Sequence, residues 1–310
     1  MKIAAIDIGT NSIRILIADI LDAYNLKIIT KYNVQTRLGK DVYRTNLLDA
    51  NAIERTLEAL RSFKKEIEDN GVDRIYAIAT SAVREAYNKH DFLNQAEEIL
   101  GVKIEIIAGN MEAYLGYLGA VYGLNINDNK HVCIIDIGGG STEIAIGSGM
   151  KLKKSSSINI GAVRLTEMYP FLSKPSVTDL KKAFSIVKST FNEQLSLIQH
   201  ENIDILTAIG GTPTSLAAID QQLTEYSREK VHGYTLKKEK IVDILKNLVK
   251  MSPEERSHVV GLQPQRADII IGGTIILLCF MELIDVNELI ISEYDNLEGL
   301  ILCNCNNRKP

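Results

Sequence analysis

The sequence predicts an α/β protein of two duplicated domains, each a mixed sheet flanked by helices. Residues 131–147, HVCIIDIGGGSTEIAIG, are the first observation behind this. They order an apolar run, Asp136, a glycine turn (Gly138, Gly139, Gly140), two hydroxyls (Ser141, Thr142), Glu143 and a second apolar run. Two β-branched runs around a Gly turn predict a β-hairpin. Residues 3–17, IAAIDIGTNSIRILI, repeat that order with Asp7, Gly9, Thr10, Asn11 and Ser12. Strand and helix patterns alternate behind both hairpins, which points to α/β layers.

At 310 residues the chain has room for two domains. Its 45% hydrophobic and 24% charged content is that of a soluble globular protein. A net charge of −4 argues against a protein built to coat nucleic acid or membranes. Cys133 and Cys279 lie in apolar segments, and Cys303 and Cys305 make only a C-x-C. Buried thiols are therefore expected rather than a zinc site. The chain opens directly on a strand pattern, with no signal peptide expected. The apolar run at 267–284 is broken by Asp268 and Glu282 and holds a Gly pair, so it reads as a core helix rather than a membrane span. A reducing cytoplasm is the expected location.

The elements follow in order. Residues 3–8, 13–20 and 26–34 read as strands, with turns at 9–12 and 22–25. Ile53, Leu57, Leu60, Phe63 and Ile67 recur at helical spacing, predicting an amphipathic helix over 50–68. A strand at 74–79 leads into Thr80-Ser81-Ala82-Val83-Arg84, helix to Leu100 and a strand at 103–107. Asn110 is the expected N-cap of a helix over 111–122. The domain boundary is placed near 124/125, dividing the chain into 1–124 and 125–310, with the helix at about 295–310 packing back on the first domain. The second half repeats the plan: strands at 132–137, 143–147 and 152–158, helices at 161–169 and 177–199, a strand at 203–209, and Gly210-Gly211-Thr212 opening a helix. A lysine-rich helical stripe at 228–250, helices from Pro253 and at 267–284, a strand at 288–292 and a helix at 297–303 complete it.

The glycines of residues 138–140 let backbone N–H groups approach an anion. Two flanking carboxylates would repel a phosphate, so a divalent metal between Asp136 and Glu143 is the simplest resolution, and hard oxygen ligands suit Mg²⁺. Two copies of an Asp-x-Gly hairpin suggest a phosphate held between the copies, in an inter-domain cleft. An empty tight turn is the alternative.

DIGTNSIR at 7–14, TSAVR at 80–84, Glu112 behind a glycine, DIGGGSTE at 136–143, IGAVRLTE at 160–167, IGGT at 209–212 and RADIIIGG at 266–273 occur in one order. On these motifs the chain resembles the exopolyphosphatase/guanosine pentaphosphate phosphohydrolase family, in its short two-domain form. That family lies within the superfamily of actin and the sugar kinases, whose domains are RNase H-like. The lone His90-Asp91 pair is read as chance rather than as an HD phosphohydrolase module.

The resemblance implies Mg²⁺-dependent removal of a terminal phosphate from inorganic polyphosphate or guanosine pentaphosphate by water, with K⁺ open as an activator. Glu112 takes the base position and Arg84 clamps phosphate oxygens. Asp136 and Glu143 hold the metal, with Asp7 near it directly or through water. Gly9, Thr10, Asn11 and Ser12, Ser81, Gly138 to Thr142, and Gly211 and Thr212 supply phosphate contacts. A homodimer is expected from symmetry base rates. Glu112 also reads as a first-turn carboxylate on a helix dipole, Asp7 as a turn cap and Arg84 as a solvated helix residue.

Some positions depart from the family pattern. Met111 and Tyr114 replace a Glu and an Arg beside Glu112. Residues 292–299, SEYDNLEG, lack the usual Gly and Arg and gather three acids. Lysines 151, 153 and 154, and those at 230–240, are candidates for lining a polyanion channel. Three functions follow: a hydrolase, a catalytically weak sensor of polyphosphate or guanosine tetra- and pentaphosphate, and, with no acceptor signature behind it, an ATP-dependent kinase.

Overall fold

The computed structural model describes the chain apart from residues 23–24, 170, 172–173, 194–200 and 306–310. The expected turn at 22–25 and helix at 177–199 therefore lie partly outside the described residues. The chain forms two compact units. The first holds Met1–Gly119 and takes back the helix Asn296–Cys305; the second holds Ala120–Asp295.

In unit 1 the strands are β1 (Lys2–Ile8), β2 (Ile13–Asp22), β3 (Asn25–Val34), β4 (Arg74–Ala79) and β5 (Ile104–Ile106). Their order is β3-β2-β1-β4-β5. The first three form an antiparallel meander, and β4 and β5 add in parallel to β1. The helices are α1 (Val42–Thr45), α2 (Ala50–Asp69), α3 (Ser81–Glu85), α4 (Lys89–Leu100) and α5 (Gly109–Gly123). β1 is buried from Ile3 to Ile8, as a central strand covered on both faces must be. The Asp49 side chain accepts from the Ala52 N–H and starts α2, which then buries Leu57, Leu60, Phe63 and Ile67.

Unit 2 repeats the plan with β6 (His131–Ile137), β7 (Thr142–Ser148), β8 (Lys151–Ile158), β9 (Ile205–Ile209), β10 (Thr235–Lys237) and β11 (Glu288–Ile291), in the order β10-β11-β9-β6-β7-β8. The meander β6-β7-β8 matches β1-β2-β3, and β9 and β11 take the parallel places of β4 and β5. β10 is an added antiparallel edge. Its helices are α6 (Ala162–Met168), α7 (Val177–Asn192), α8 (Gly211–Asp220), α9 (Arg228–Val231), α10 (Lys238–Leu248), α11 (Pro253–Ser257) and α12 (Ile270–Leu283). α13 (Asn296–Cys305) belongs to unit 1.

Each unit has its own core. Helix α12 is buried continuously from Ile270 to Met281, the signature of a helix enclosed within a domain. Its glycines permit close packing: a Cβ on Gly272 would meet the Ala162 carbonyl oxygen at 2.9 Å, and one on Gly273 the Thr212 hydroxyl at 2.1 Å. No described helix is long and apolar enough to cross a membrane. In unit 1, α13 packs so tightly on α5 that a Cβ on Gly299 would lie 1.9 Å from the Leu115 carbonyl oxygen. Glu298, fully buried, takes the Lys31 ammonium on both carboxylate oxygens at 2.9 and 3.0 Å.

Three local expectations are corrected. Helix α5 begins at Gly109, so Asn110 is helical and caps nothing; the N–H groups of Met111 and Glu112 both reach the Ala108 carbonyl at 3.0 Å. The stretch 228–250 divides into α9, β10 and α10, because β10 pairs with β11, a partner more than fifty positions away. The two lysine runs cannot line one groove along the sheet. Lysines 151, 153 and 154 lie on β8 and Lys237 on β10, at opposite edges, where charge discourages strand addition.

The four cysteines are free. Burial pushes the Cys133 and Cys279 thiols up to about 12, and Cys303 is buried too. Burial raises the Cys305 thiol as well, but it is the one cysteine left partly exposed, so a thiol reagent at pH 8 is expected to label the native chain at Cys305 alone. All four should react once the chain is unfolded in denaturant, with labelled peptides assigned by mass spectrometry.

Candidate active site

Apart from Thr142 and Glu143, which open the antiparallel strand β7, the predicted site residues lie at or just beyond the carboxyl end of a parallel strand, where open α/β sheets bind ligands. In unit 1 these are Asp7 and the Gly9–Ser12 turn after β1, Ser81 and Arg84 after β4, and Glu112 after β5. In unit 2 they are Asp136 and the Gly138–Ser141 turn after β6, and Gly210–Thr212 after β9.

The two hairpins are geometric copies. The Gly9 N–H donates to the Ser12 carbonyl at 3.0 Å, and the Gly138 N–H to the Ser141 carbonyl at 3.0 Å. A Cβ on either glycine would meet the same carbonyl oxygen at 3.0 Å, so the turn is as tight in both. One register position differs in charge. Asp7 faces Arg14 across the hairpin, whereas Asp136 faces Glu143. The Arg14 guanidinium donates to the buried Asp7 carboxylate. Unit 1 thus carries its own counter-cation at the place where unit 2 sets two acids together.

In unit 2 the glycine turn is oriented by the helix behind it. The Gly138 carbonyl accepts from the Ala162 N–H at 2.9 Å, and the Gly139 carbonyl from the N–H groups of Val163 and Arg164 at 2.9 and 3.1 Å. A trans peptide sets C=O and the next N–H in opposite directions. The N–H groups of Gly139 and Gly140 therefore point away from α6, as an anion cradle requires. Gly161 lies against this turn, with a built Cβ 2.5 Å from the Gly139 carbonyl carbon. Ser141 is buried, and the Thr142 hydroxyl is committed to the Ile160 carbonyl at 2.6 Å. Gly210 takes φ +93°, and its missing Cβ would sit 2.8 Å from Asp136 Oδ1. Thr212 is turned toward Gly273, and Gly211 is covered by the Arg266 guanidinium, 1.7 Å from a built Cβ.

Asp136 and Glu143 are direct cross-strand partners. Glu143 is buried, and its Oε1 accepts from the Ser157 hydroxyl at 2.7 Å. Two hard carboxylates at one cross-strand position are the ligand type Mg²⁺ takes, while among the described residues no group of three or more His, Cys, Asp or Glu gathers as a metal site. Asp7 is in unit 1, where Arg14 is its partner.

Unit 1 brings together the two residues expected to do chemistry. Arg84 Nη1 lies 3.4 Å from Glu112 Oε2 and donates to the Ile107 carbonyl at 2.9 Å. Glu112 is 7% exposed, in the first turn of α5. Arg84 lies in the last turn of the short helix α3, and its own carbonyl accepts from the Lys89 ammonium at 2.9 Å. The Ser81 hydroxyl donates to Glu85 at 3.1 Å within that helix. Among the described residues, Thr10 Oγ1 and Asn11 Nδ2 are buried with no hydrogen-bond partner. Such orphans are uncommon and call for a ligand or water.

Two of the three acids at 293–298, Glu293 and Glu298, are held internally. Glu293 accepts from the Tyr226 hydroxyl and from Arg228 Nε, the latter at 3.3 Å, and Glu298 holds Lys31. Sequence reasoning passed over Arg14, Ser157 and Arg266. Arg14 and Ser157 could have been read from hairpin register, since each stands opposite a predicted acid. Arg266 reaches Gly211 from a distant segment and left no such signal.

Residues 16–307 match the Ppx/GppA phosphatase family. A bifunctional 3-dehydroquinate synthase/phosphatase of Fusobacterium nucleatum is 36% identical across 96% of this chain; the chain spans 46% of that relative's length. Exopolyphosphatase 2 of Mycobacterium tuberculosis is 32% identical, over 97% of this chain and 98% of its own. The crystal structure of the Aquifex aeolicus Ppx/GppA family member superposes with a TM-score of 0.83 at 33% identity, covering 99% of this chain and 98% of that one. The duplicated sheets and the matched motifs thus have one source: the chain belongs to the Ppx/GppA phosphatase family.

Proposed function

We propose that this protein hydrolyses the terminal phosphoanhydride of inorganic polyphosphate, releasing orthophosphate, and that guanosine pentaphosphate is the related substrate. The observation that carries the reading is the Arg84–Glu112 pair at 3.4 Å, beside a turn with orphaned polar groups. Glu112 is the general base. It takes a proton from water as the water oxygen bonds the terminal phosphorus and the bridging P–O bond breaks, leaving a chain one phosphate shorter. Arg84 holds oxygens of the transferred phosphoryl group through its planar donors. Its bond to the Ile107 carbonyl keeps the guanidinium in place while Glu112 changes charge. Unit 2 offers an anion cradle of its own in the N–H groups of Gly139 and Gly140. Mg²⁺ held by Asp136 and Glu143 would neutralise phosphate charge, and Ser157 orients Glu143 for that task. Met111 and Tyr114 leave the Arg84–Glu112 pair in place, which favours the hydrolase over the sensor.

A phosphate-release panel tests this. Long polyphosphate, tripolyphosphate, guanosine pentaphosphate and ATP are each assayed with and without Mg²⁺. Orthophosphate from polyphosphate or guanosine pentaphosphate, dependent on Mg²⁺, is the expected result. Tight binding without release would replace the hydrolase with a sensor, and ATP turnover that needs an acceptor would make it a kinase.

A further inference from the structure

Four of the buried polar side-chain atoms without a partner among the described residues fall in one place. They are Thr10 Oγ1 and Asn11 Nδ2 on the β1–β2 turn, and Gln35 Oε1 and Thr36 Oγ1 just after β3. The two segments are joined directly. The Arg37 N–H donates to the Asn11 carbonyl at 2.9 Å and the Gly39 N–H to the Thr10 carbonyl at 2.7 Å. β3 runs antiparallel to β2, and β2 to β1, so residues 35–40 leave the same carboxyl end of the sheet as the turn.

Gly39 is the point of closest approach. A Cβ there would meet Thr10 Cγ2 at 2.3 Å and the Ala82 Cβ at 2.9 Å. The loop therefore touches both the phosphate turn and α3, the helix that carries Arg84. Burial divides its side chains sharply: Thr36 and Leu38 are buried, while Arg37 and Lys40 are exposed. Arg37 holds φ +52°, a left-handed conformation that a non-glycine residue rarely takes. Buried Leu38, Val42 and Leu48 root the segment in the core of unit 1, so it presents its cations from a fixed frame.

We infer that residues 35–40 form a subsite for the phosphates that follow the terminal one, and that its ligand is the linear polyphosphate chain. This rests on the proposed hydrolase reading and deepens it by giving the polyphosphate chain a second point of attachment. The Thr10 and Thr36 hydroxyls and the Asn11 amide donate to phosphate oxygens, and the Gln35 oxygen takes a water. Arg37 and Lys40 supply the positive charge that a run of phosphates needs beyond its first unit. Tripolyphosphate is too short to gain from them, and guanosine pentaphosphate interposes its nucleoside between the 5′-triphosphate and the 3′-diphosphate, so no continuous run of phosphates extends past its third.

The test is the double variant Arg37→Ala/Lys40→Ala, both exposed positions whose truncation spares the core. Steady-state phosphate release is measured on long-chain polyphosphate, tripolyphosphate and guanosine pentaphosphate at several salt concentrations. KM for the long chain should rise about tenfold and lose part of its salt dependence, against less than a twofold change for the other two. Gly39→Ala is the second variant; circular dichroism reports whether it folds, and the expected defect is again in KM for the long chain. Unchanged long-chain KM in the double variant overturns the subsite. So does a fall in kcat shared by all three substrates, which would make the loop merely structural. A rise confined to guanosine pentaphosphate overturns the choice of ligand. If the unaltered protein releases phosphate from none of them, it is the hydrolase reading that fails.

Discussion

Glu112→Gln is expected to lower phosphate release about a thousandfold while the fold persists. The amide keeps the volume of the carboxylate in the first turn of α5, so the packing around it is retained. What goes is the ability to accept a proton from water, together with the negative partner of Arg84 at 3.4 Å. The Arg84 guanidinium keeps its bond to the Ile107 carbonyl at 2.9 Å, so phosphate binding should weaken little and kcat should carry the loss. Stopped assays of orthophosphate, with circular dichroism on the same preparation, check it. Activity near that of the unaltered chain in Glu112→Gln or Glu112→Ala would remove Glu112 from the mechanism.

The second large effect concerns stability. Glu298→Ala strips the buried Lys31 ammonium of a carboxylate that meets it with both oxygens, at 2.9 and 3.0 Å. Removing one partner of a buried pair costs about 3–5 kcal/mol. The lower end applies, because the Lys31 side chain keeps 11% of its exposure and can recover some water. The pair ties α13 to β3, so the loss should appear as a lower urea midpoint for unit 1 in particular, read by hydrogen exchange in β1 to β3. Replacing both members with apolar side chains, Lys31→Met with Glu298→Leu, should restore much of the stability, since no charge is then left without a partner. A double variant no better than Glu298→Ala would show that shape, not charge compensation, sets the cost.

The duplicated plan was legible because it rests on short-range patterns. An apolar run, an acid, a glycine turn and a second run specify a hairpin within fifteen residues, and both hairpins form as read. The helical stripe of α2 was legible for the same reason. β10 was missed because three residues carry no period of their own and become a strand by pairing with β11. Residues 36–48 were silent in sequence. Their conformation depends on left-handed residues Arg37, Asp41 and Asn46 and on contacts with Thr10 and Asn11.

For the site, the sequence by itself determined which residues gather at the strand ends. In a period-2 strand that leads into a turn, the position of Asp7, Asp136 or the 138–140 glycines follows from counting. Tertiary structure alone decided how each is used. It set Arg14 on Asp7 but Glu143 against Asp136 at the same register position. It brought Arg84 and Glu112, 28 positions apart, to 3.4 Å. It committed the Thr142 hydroxyl to Ile160 and laid residues 35–40 against the Gly9–Ser12 turn. Those outcomes depend on pairings between strands and loops that local propensity does not encode. Their free energy comes from burial and hydrogen-bond completion over long sequence separations, so the chemistry of each residue could be read early and its partner only in the folded chain.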